Sequence, residues 1–207
     1  MPSRAEMLTP AWKRAFEEAW ESFWRGNFGI GAALADASGQ VVASGRNQVV
    51  SEPDDQPLGG NYMAHAEMNL FAGMATYDAK GLHLYSTLQP CLMCASTALL
   101  LNVETVSYAA RDENFDGLDD LWAHHPYTAG RAVPTSQAVS GPLASFARLL
   151  PLAHILATLP DGPLAATARR AFPRLSEMAA DDEVMARLRG QPDLQSALDF
   201  ALPRVTA

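Results

Sequence analysis

The sequence predicts an α/β fold: a mixed sheet with helices on both faces, followed by a helical C-terminal extension. Three observations carry this expectation. A helical segment with one apolar stripe opens the chain and leads into a strand–turn–strand pattern. Two further helical segments then alternate with apolar strands up to about residue 110, which calls for helices laid on the faces of a sheet. From residue 141 onward the apolar residues follow helical spacing in four separate stretches.

Thr9 ahead of Pro10 pairs an N-cap hydroxyl with a residue whose missing N–H costs nothing at a first helical position, so a helix is expected from Pro10 to about residue 25, closed by Gly26. Trp12, Phe16, Trp20, Phe23 and Trp24 form its apolar stripe, which reads as core packing rather than a substrate platform. Residues 28–36 read as a strand, 37–40 as a turn and 41–46 as the hairpin partner. Residues 49–62 form a loop rich in Pro, Gly and Asp, with the acidic run Glu52-Pro53-Asp54-Asp55, and lead directly into His65. Helices are expected over 63–77 and 91–101, with strands over 82–87 and 104–109. The acidic segment 111–120 leaves a strand end, where ligands gather in open α/β sheets, and reads as a pocket wall containing Asp112, Glu113 and Asp116. Residues 127–141 read as a turn-rich connector. Helices are expected over 143–159, 164–179, 182–188 and 194–202, with Pro151 and Pro173 as breaks. The organisation expected is one domain over residues 1–140 and a helical extension over 141–207 packed on it.

With 207 residues, 48% hydrophobic and 18% charged, the chain can bury a substantial core and does not have a disordered composition. Its two cysteines leave no disulfide framework once the motif below has used them, which fits a reducing compartment. The N-terminus has no signal-peptide apolar core, and the most apolar stretch, 142–160, is interrupted by Arg148, Pro151 and His154. The expectation is a cytoplasmic protein with no membrane partner. Residues 1–140 hold sixteen acids against eight Lys and Arg, while 141–207 hold seven of each, so the whole net charge of −8 belongs to the first part. Neutralising RNA phosphates requires clustered Lys and Arg, so a nucleic-acid partner is disfavoured.

The chemistry concentrates in His65-Ala66-Glu67 and Pro90-Cys91-Leu92-Met93-Cys94. One imidazole and two thiols supply three ligands for a catalytic Zn2+, one per chain, and leave the fourth tetrahedral position open to water. Cys91 and Cys94, three apart after Pro90, fall on one face of a helix start, where the positive end of the helix dipole favours thiolate. His65 and Glu67 would diverge by roughly 200° on a helix, so they converge only if His65 lies at or just before the first turn. A redox pair or a structural zinc site are the bland readings of Cys-x-x-Cys. A structural site needs a fourth ligand, and none of His83, His124, His125 and His154 stands at a paired spacing that supplies one.

The pattern H-x-E followed by P-C-x-x-C is the signature of zinc nucleobase deaminases. From about Phe28 to Asp120, including HAEMNLF, STLQPCLMCA and Asn47 in GRNQ, the chain resembles the cytidine deaminase-like superfamily, in the branch with guanine deaminases, cytosine deaminases and bacterial tRNA adenosine deaminases. The resemblance implies a three-layer α/β/α fold and hydrolytic removal of ammonia from a free amino-bearing nucleobase or nucleoside, with His65, Cys91 and Cys94 as zinc ligands and Glu67 as the catalytic proton shuttle. It further implies Asn47, the backbone of Ala66 and the ring of Phe28 as substrate contacts, and a homodimer. Gln89 stands where tRNA adenosine deaminases usually carry Glu, which counts against the alternative of adenosine-to-inosine deamination in tRNA. A second alternative keeps the zinc and drops catalysis, leaving a metal-stabilised interaction module.

Overall fold

The structure, a computed structural model, describes residue 5, residues 7–53 and residues 55–205. Asp54 of the acidic run and most of the first six residues lie outside the described residues.

Helix α1 (Pro10–Trp24) starts where the sequence places it: Thr9 Oγ1 accepts from the Trp12 N–H at 3.5 Å, and proline occupies the first position. Trp12, Phe16, Trp20 and Phe23 are buried, but Trp24 is 58% exposed. At about 100° per residue the face drifts by roughly 40° every four residues, so by Trp24 it has turned to solvent while Phe23 has come back to the core.

Five strands follow: β1 (Gly31–Ala35), β2 (Val41–Arg46), β3 (His83–Leu88), β4 (Thr105–Ala110) and β5 (Thr135–Gln137). They form one mixed sheet in the order β2-β1-β3-β4-β5, with β1 antiparallel to both neighbours and β3, β4 and β5 parallel. The alternation of strand side chains separates two cores. Ala32, Leu34, Leu84 and Val106 point to one face, where helices α2 (Ala66–Ala72) and α3 (Leu92–Leu100) cover them with Ala66, Leu70, Phe71 and Ala98. Ala33, Tyr85 and Ala109 point to the other face, against Phe16 and Phe23 of α1 and Phe146, Leu149 and Leu150 of α5 (Gly141–Thr158). The result is the three-layer α/β/α arrangement expected from the sequence.

Between β4 and β5 lie a short 3-10 turn over Glu113–Phe115 and helix α4 (Leu118–His124). After α5 come α6 (Pro163–Ala171), α7 (Pro173–Ala179), α8 (Asp182–Arg189) and α9 (Leu194–Val205). Ala179, Leu188, Leu198 and Ala201 from this set share one continuous core with α1 and α5. Among the described residues no helix is long and apolar enough to cross a membrane.

Four local expectations need correction. Strand β5 falls inside the segment read as a connector, and its three exposed residues offer no apolar alternation to reveal it. Helix α4 was also unforeseen, sitting in the acidic segment and beyond it. The first metal-bearing helix is much shorter than 63–77, because His65 stands extended at its N-cap position and Gly73 ends it. Pro151 does not break α5: the helix runs through it, with Leu149, Leu150, Leu152 and Ala153 buried around the proline. Burial of side chains like these stabilises by about 1.5–3 kcal/mol each, which outweighs the roughly 3 kcal/mol cost of an interior proline. At Pro173 the expected break does occur, between α6 and α7.

Gly31 sets how closely α1 lies on the sheet: a Cβ there would stand 2.2 Å from the Ala15 carbonyl oxygen and 2.3 Å from the Ala19 nitrogen. Both are backbone atoms and cannot swing away. Gly31→Ala should therefore destabilise the protein by at least the ~1–3 kcal/mol of core overpacking, read as a lowered midpoint in thermal denaturation. An unchanged midpoint would show that α1 is free to shift.

Candidate metal centre

Both helices of one face begin at a ligand. His65 precedes α2 with φ −67° and ψ 157°, and Cys91 precedes α3 with φ −67° and ψ 173°. Both are extended N-cap residues, and neither side chain caps its own helix. The imidazole and the thiol instead turn towards each other. This satisfies the condition set by the spacing of His65 and Glu67: the imidazole leaves the chain before helical geometry begins.

His65 Nδ1 lies 3.5 Å from Cys91 Sγ and 3.6 Å from Cys94 Sγ, and the two sulfurs are 3.5 Å apart. A disulfide would need about 2.05 Å, so the sulfurs are not bonded to each other. Ligand bonds of about 2.3 Å to sulfur and 2.0–2.1 Å to nitrogen give tetrahedral edges of roughly 3.5–3.8 Å, and the three donor atoms fit that triangle. Among the described residues these three form the one cluster of His, Cys and acidic side chains able to hold a metal ion.

Electrostatics support cation binding. A hydrogen bond with Cys94 and another with His65 hold the Cys91 thiol down at about 4, while the same sulfur contact and burial push Cys94 well above the usual thiol range. The contact with Cys91 raises His65. Glu67 is only 3% exposed, and desolvation followed by the nearby Cys91 charge lifts its carboxyl above the ordinary range. Its Oε1 accepts a 2.8 Å hydrogen bond from Ser86 Oγ on β3.

The surrounding loops are tied to these helices. Asn69 of α2 accepts from the Leu58 N–H at 2.9 Å and donates to the carbonyls of Arg46 at 2.8 Å and Ala64 at 3.3 Å, joining the end of β2 and the long loop to α2. The Gln89 amide accepts from the Asp112 N–H at 3.1 Å and donates to the Phe115 carbonyl at 3.4 Å.

The other sequence candidates fall as follows. Asn47 is buried, and its Oδ1 accepts from the Val49 N–H at 3.3 Å, the turn bond that asparagine favours after a strand. Ala66 is fully buried beneath β2, its carbonyl oxygen 2.5 Å from where a Gly45 Cβ would stand. The ring of Phe28 packs against His154 of α5 with centroids 4.3 Å apart. Three acids of the 111–120 segment have partners: Glu113 pairs with Arg148, Asp116 with Arg111, and Asp112 accepts from the Asn114 N–H at 3.0 Å. His124 and His125 bond within their own turn, to the Asp120 carbonyl and the Tyr127 N–H. Sequence reasoning missed Ser86, although a hydroxyl in the apolar alternation of β3 was a visible signal.

Residues 6–110 match the family described as the cytidine and deoxycytidylate deaminase zinc-binding region, about half of the chain. The chain belongs to this family. Zinc is accordingly the metal, and His65, Cys91 and Cys94 are the residues that fit it. The chain is 34% identical over 104 residues to a tRNA-specific adenosine deaminase of Bacillus subtilis, a match covering 48% of this chain and 60% of that protein. It is 30% identical over 110 residues to the Aquifex aeolicus protein of the same name, covering 51% and 68%. A solved structure from a study of A-to-I editing by tRNA:A34 deaminases superposes with a TM-score of 0.51 at 25% identity, covering 63% of this chain and 92% of that one. The guanine deaminase of Nitrosomonas europaea shares the fold, with a TM-score of 0.50 at 22% identity over 71% of this chain and 85% of that one.

Loss of one ligand should abolish tight zinc binding and, because the metal joins two helix starts, lower stability as well. Cys94→Ser should carry far less than one zinc per chain by elemental analysis and melt below the zinc-loaded parent. Full metal content in that variant would reject this ligand set.

Proposed function

We propose that this protein is a zinc-dependent hydrolase that deaminates a free amino-bearing nucleobase or nucleoside and releases ammonia. The observation that carries the reading is the triangle of one nitrogen and two sulfurs at 3.5–3.6 Å with the buried Glu67 carboxylate two residues from the imidazole. A zinc ion held there supplies the Lewis acidity that lets a water molecule ionise near neutral pH. Glu67 accepts the proton of the attacking water as its oxygen bonds to the amino-bearing ring carbon. The carboxyl then returns that proton to the adjacent ring nitrogen. Glu67 next takes the remaining proton of the carbon-bound hydroxyl and passes it to the exocyclic amine, so the C–N bond breaks as the C=O bond forms and the electron pair leaves on nitrogen as ammonia. The Asn47 amide, the Ala66 backbone and the ring of Phe28 contact the base in this reading.

Charge favours a small neutral substrate. Lys13, Arg14, Arg25, Arg46 and Arg111 are each ion-paired to a carboxylate, so most of the described cations before residue 140 are already neutralised. The same reading takes the protein as cytoplasmic and homodimeric, with exposed Leu92 and Leu100 of α3, eight residues apart on one helix side, as an apolar stripe that a second copy would bury.

Glu67→Gln should keep one zinc per chain and lose about 10²- to 10⁴-fold in kcat, measured by ammonia release over a panel of guanine, cytosine, adenine and their nucleosides. A fully active variant would remove Glu67 from the mechanism, and a wild-type protein inert on every base would favour a metal-stabilised interaction module.

The names of the sequence relatives favour a second reading, deamination of adenosine in tRNA. If it holds, tRNA affinity should fall steeply between 50 and 200 mM salt, by about 10³-fold for some six phosphate contacts. On the reading preferred here, filter binding detects no salt-sensitive tRNA complex while free bases are turned over.

A further inference from the structure

Ser86 lies on β3, the strand bonded on one side to β1 and on the other to β4, where it pairs with Ala32 and Tyr108. Apart from the half-buried Tyr108, its neighbours on the same sheet face, Ala32, Leu34, Leu84 and Val106, are apolar and buried. A hydroxyl at this position is fully buried, and its 2.8 Å hydrogen bond goes to Glu67 Oε1. A polar group in such a place is expensive unless paired, and here the pairing partner is the carboxylate that the chemistry requires.

Glutamate has three rotatable side-chain bonds, and the short helix α2 fixes only its backbone. A carboxylate left to itself would sample several rotamers and present either oxygen. Anchoring one oxygen to the sheet removes that freedom. We propose that Ser86 is a positioning residue for deamination: by holding Oε1 from the central strand, it fixes the Glu67 carboxylate in one rotamer and leaves Oε2 as the atom that takes and returns the proton. This rests on the deamination reading above. Nothing in the proposal requires Ser86 to touch substrate or metal.

The role separates from simple packing by what each substitution removes. Ser86→Ala deletes one oxygen and leaves volume behind. Ser86→Thr and Ser86→Val add nearly equal bulk but differ in the hydroxyl, so any cost of fit is common to both. With the zinc-loaded protein and its best base, Ser86→Ala should lower kcat by about 10- to 100-fold, the scale of a hydrogen bond to a charged group, with KM and zinc content unchanged. Ser86→Thr should exceed Ser86→Val in kcat by a similar factor. The proposal is overturned if Ser86→Ala stays within twofold of the parent, if its loss lies in KM or zinc content, or if the Thr and Val variants are equal.

A readout independent of turnover uses thermal melting of the zinc-loaded parent, Ser86→Ala, Glu67→Ala and the double variant, since a glutamine would keep an oxygen for Ser86 to donate to. The two substitutions should be non-additive, because each removes the same contact. Additive melting shifts would overturn the positioning role whatever the protein turns over. A parent that releases no ammonia from any base, with non-additive melting intact, would sink the deamination reading and leave the anchored carboxylate standing.

Discussion

Everything at the candidate site depends on two helix starts that leave themselves uncapped. An N-cap side chain ordinarily accepts from the first turn's N–H groups, a contact worth about 1 kcal/mol. His65 and Cys91 occupy that position for α2 and α3 and make no such bond. Their side chains meet across the gap between the helices instead, with Cys94 one turn further along α3 completing the triangle. The sheet makes the meeting possible: α2 and α3 lie side by side on one face because their shared core is drawn from alternate residues of β1, β3 and β4. A one-residue slip in β3 would turn Leu84 and Ser86 to the opposite face and part Glu67 from its hydroxyl partner.

This arrangement explains which parts of the structure could be read in the sequence. The ligand set was legible because each residue is chemically unusual for its place: two cysteines after a proline, and a histidine two before a buried acid. The geometric condition on His65 was also legible, since 3.6 residues per turn forbids convergence anywhere but at a helix start. Helix α1 could be placed to within a residue because Thr9-Pro10 marks its beginning, and strand β2 because the turn at residues 37–40 makes it a hairpin partner. Less visible were elements whose order comes from tertiary contact. Strand β5 has three exposed residues and is held by parallel pairing to β4, so nothing local announces it. Pro151 should end a helix on local grounds, yet the buried residues on both sides of it keep α5 continuous. Phe28 illustrates the same limit: an aromatic opening a strand could face a pocket or the core, and its tilted contact with the His154 ring depends on a helix more than a hundred residues away.

The charge distribution also changes meaning once contacts are known. In the sequence Asp112, Glu113 and Asp116 could be read as pocket-wall acceptors for the N–H groups of a base or as a solvated loop. In the structure Glu113 and Asp116 hold arginines, and Asp112 stabilises the 3-10 turn that follows it. Their contacts fix a loop. Exposed pairs like Arg111–Asp116 contribute little to stability, typically 0–1 kcal/mol, whereas the Arg148–Glu113 pair is better sheltered and gains from two-point geometry.

That sheltered pair gives the C-terminal helices a physical connection to the site. Arg148 of α5 donates through both terminal nitrogens to Glu113, at 2.7 and 3.1 Å, bonds the Arg111 carbonyl, and lies 3.7 Å over the ring of Phe172. The loop it grips is held at its other side by Gln89, which adjoins Pro90 and Cys91. Gln89 makes two bonds of opposite sense, accepting from Asp112 and donating to Phe115. Glutamate, the residue usual here in tRNA adenosine deaminases, could accept the first but has no hydrogen for the second while ionised. The amide is therefore matched to a loop that presents one N–H and one carbonyl, and that loop is pinned from behind by a helix outside the family match. Position 89 thus joins the segment before Pro90 to a loop that Arg148 of α5 holds from its other side.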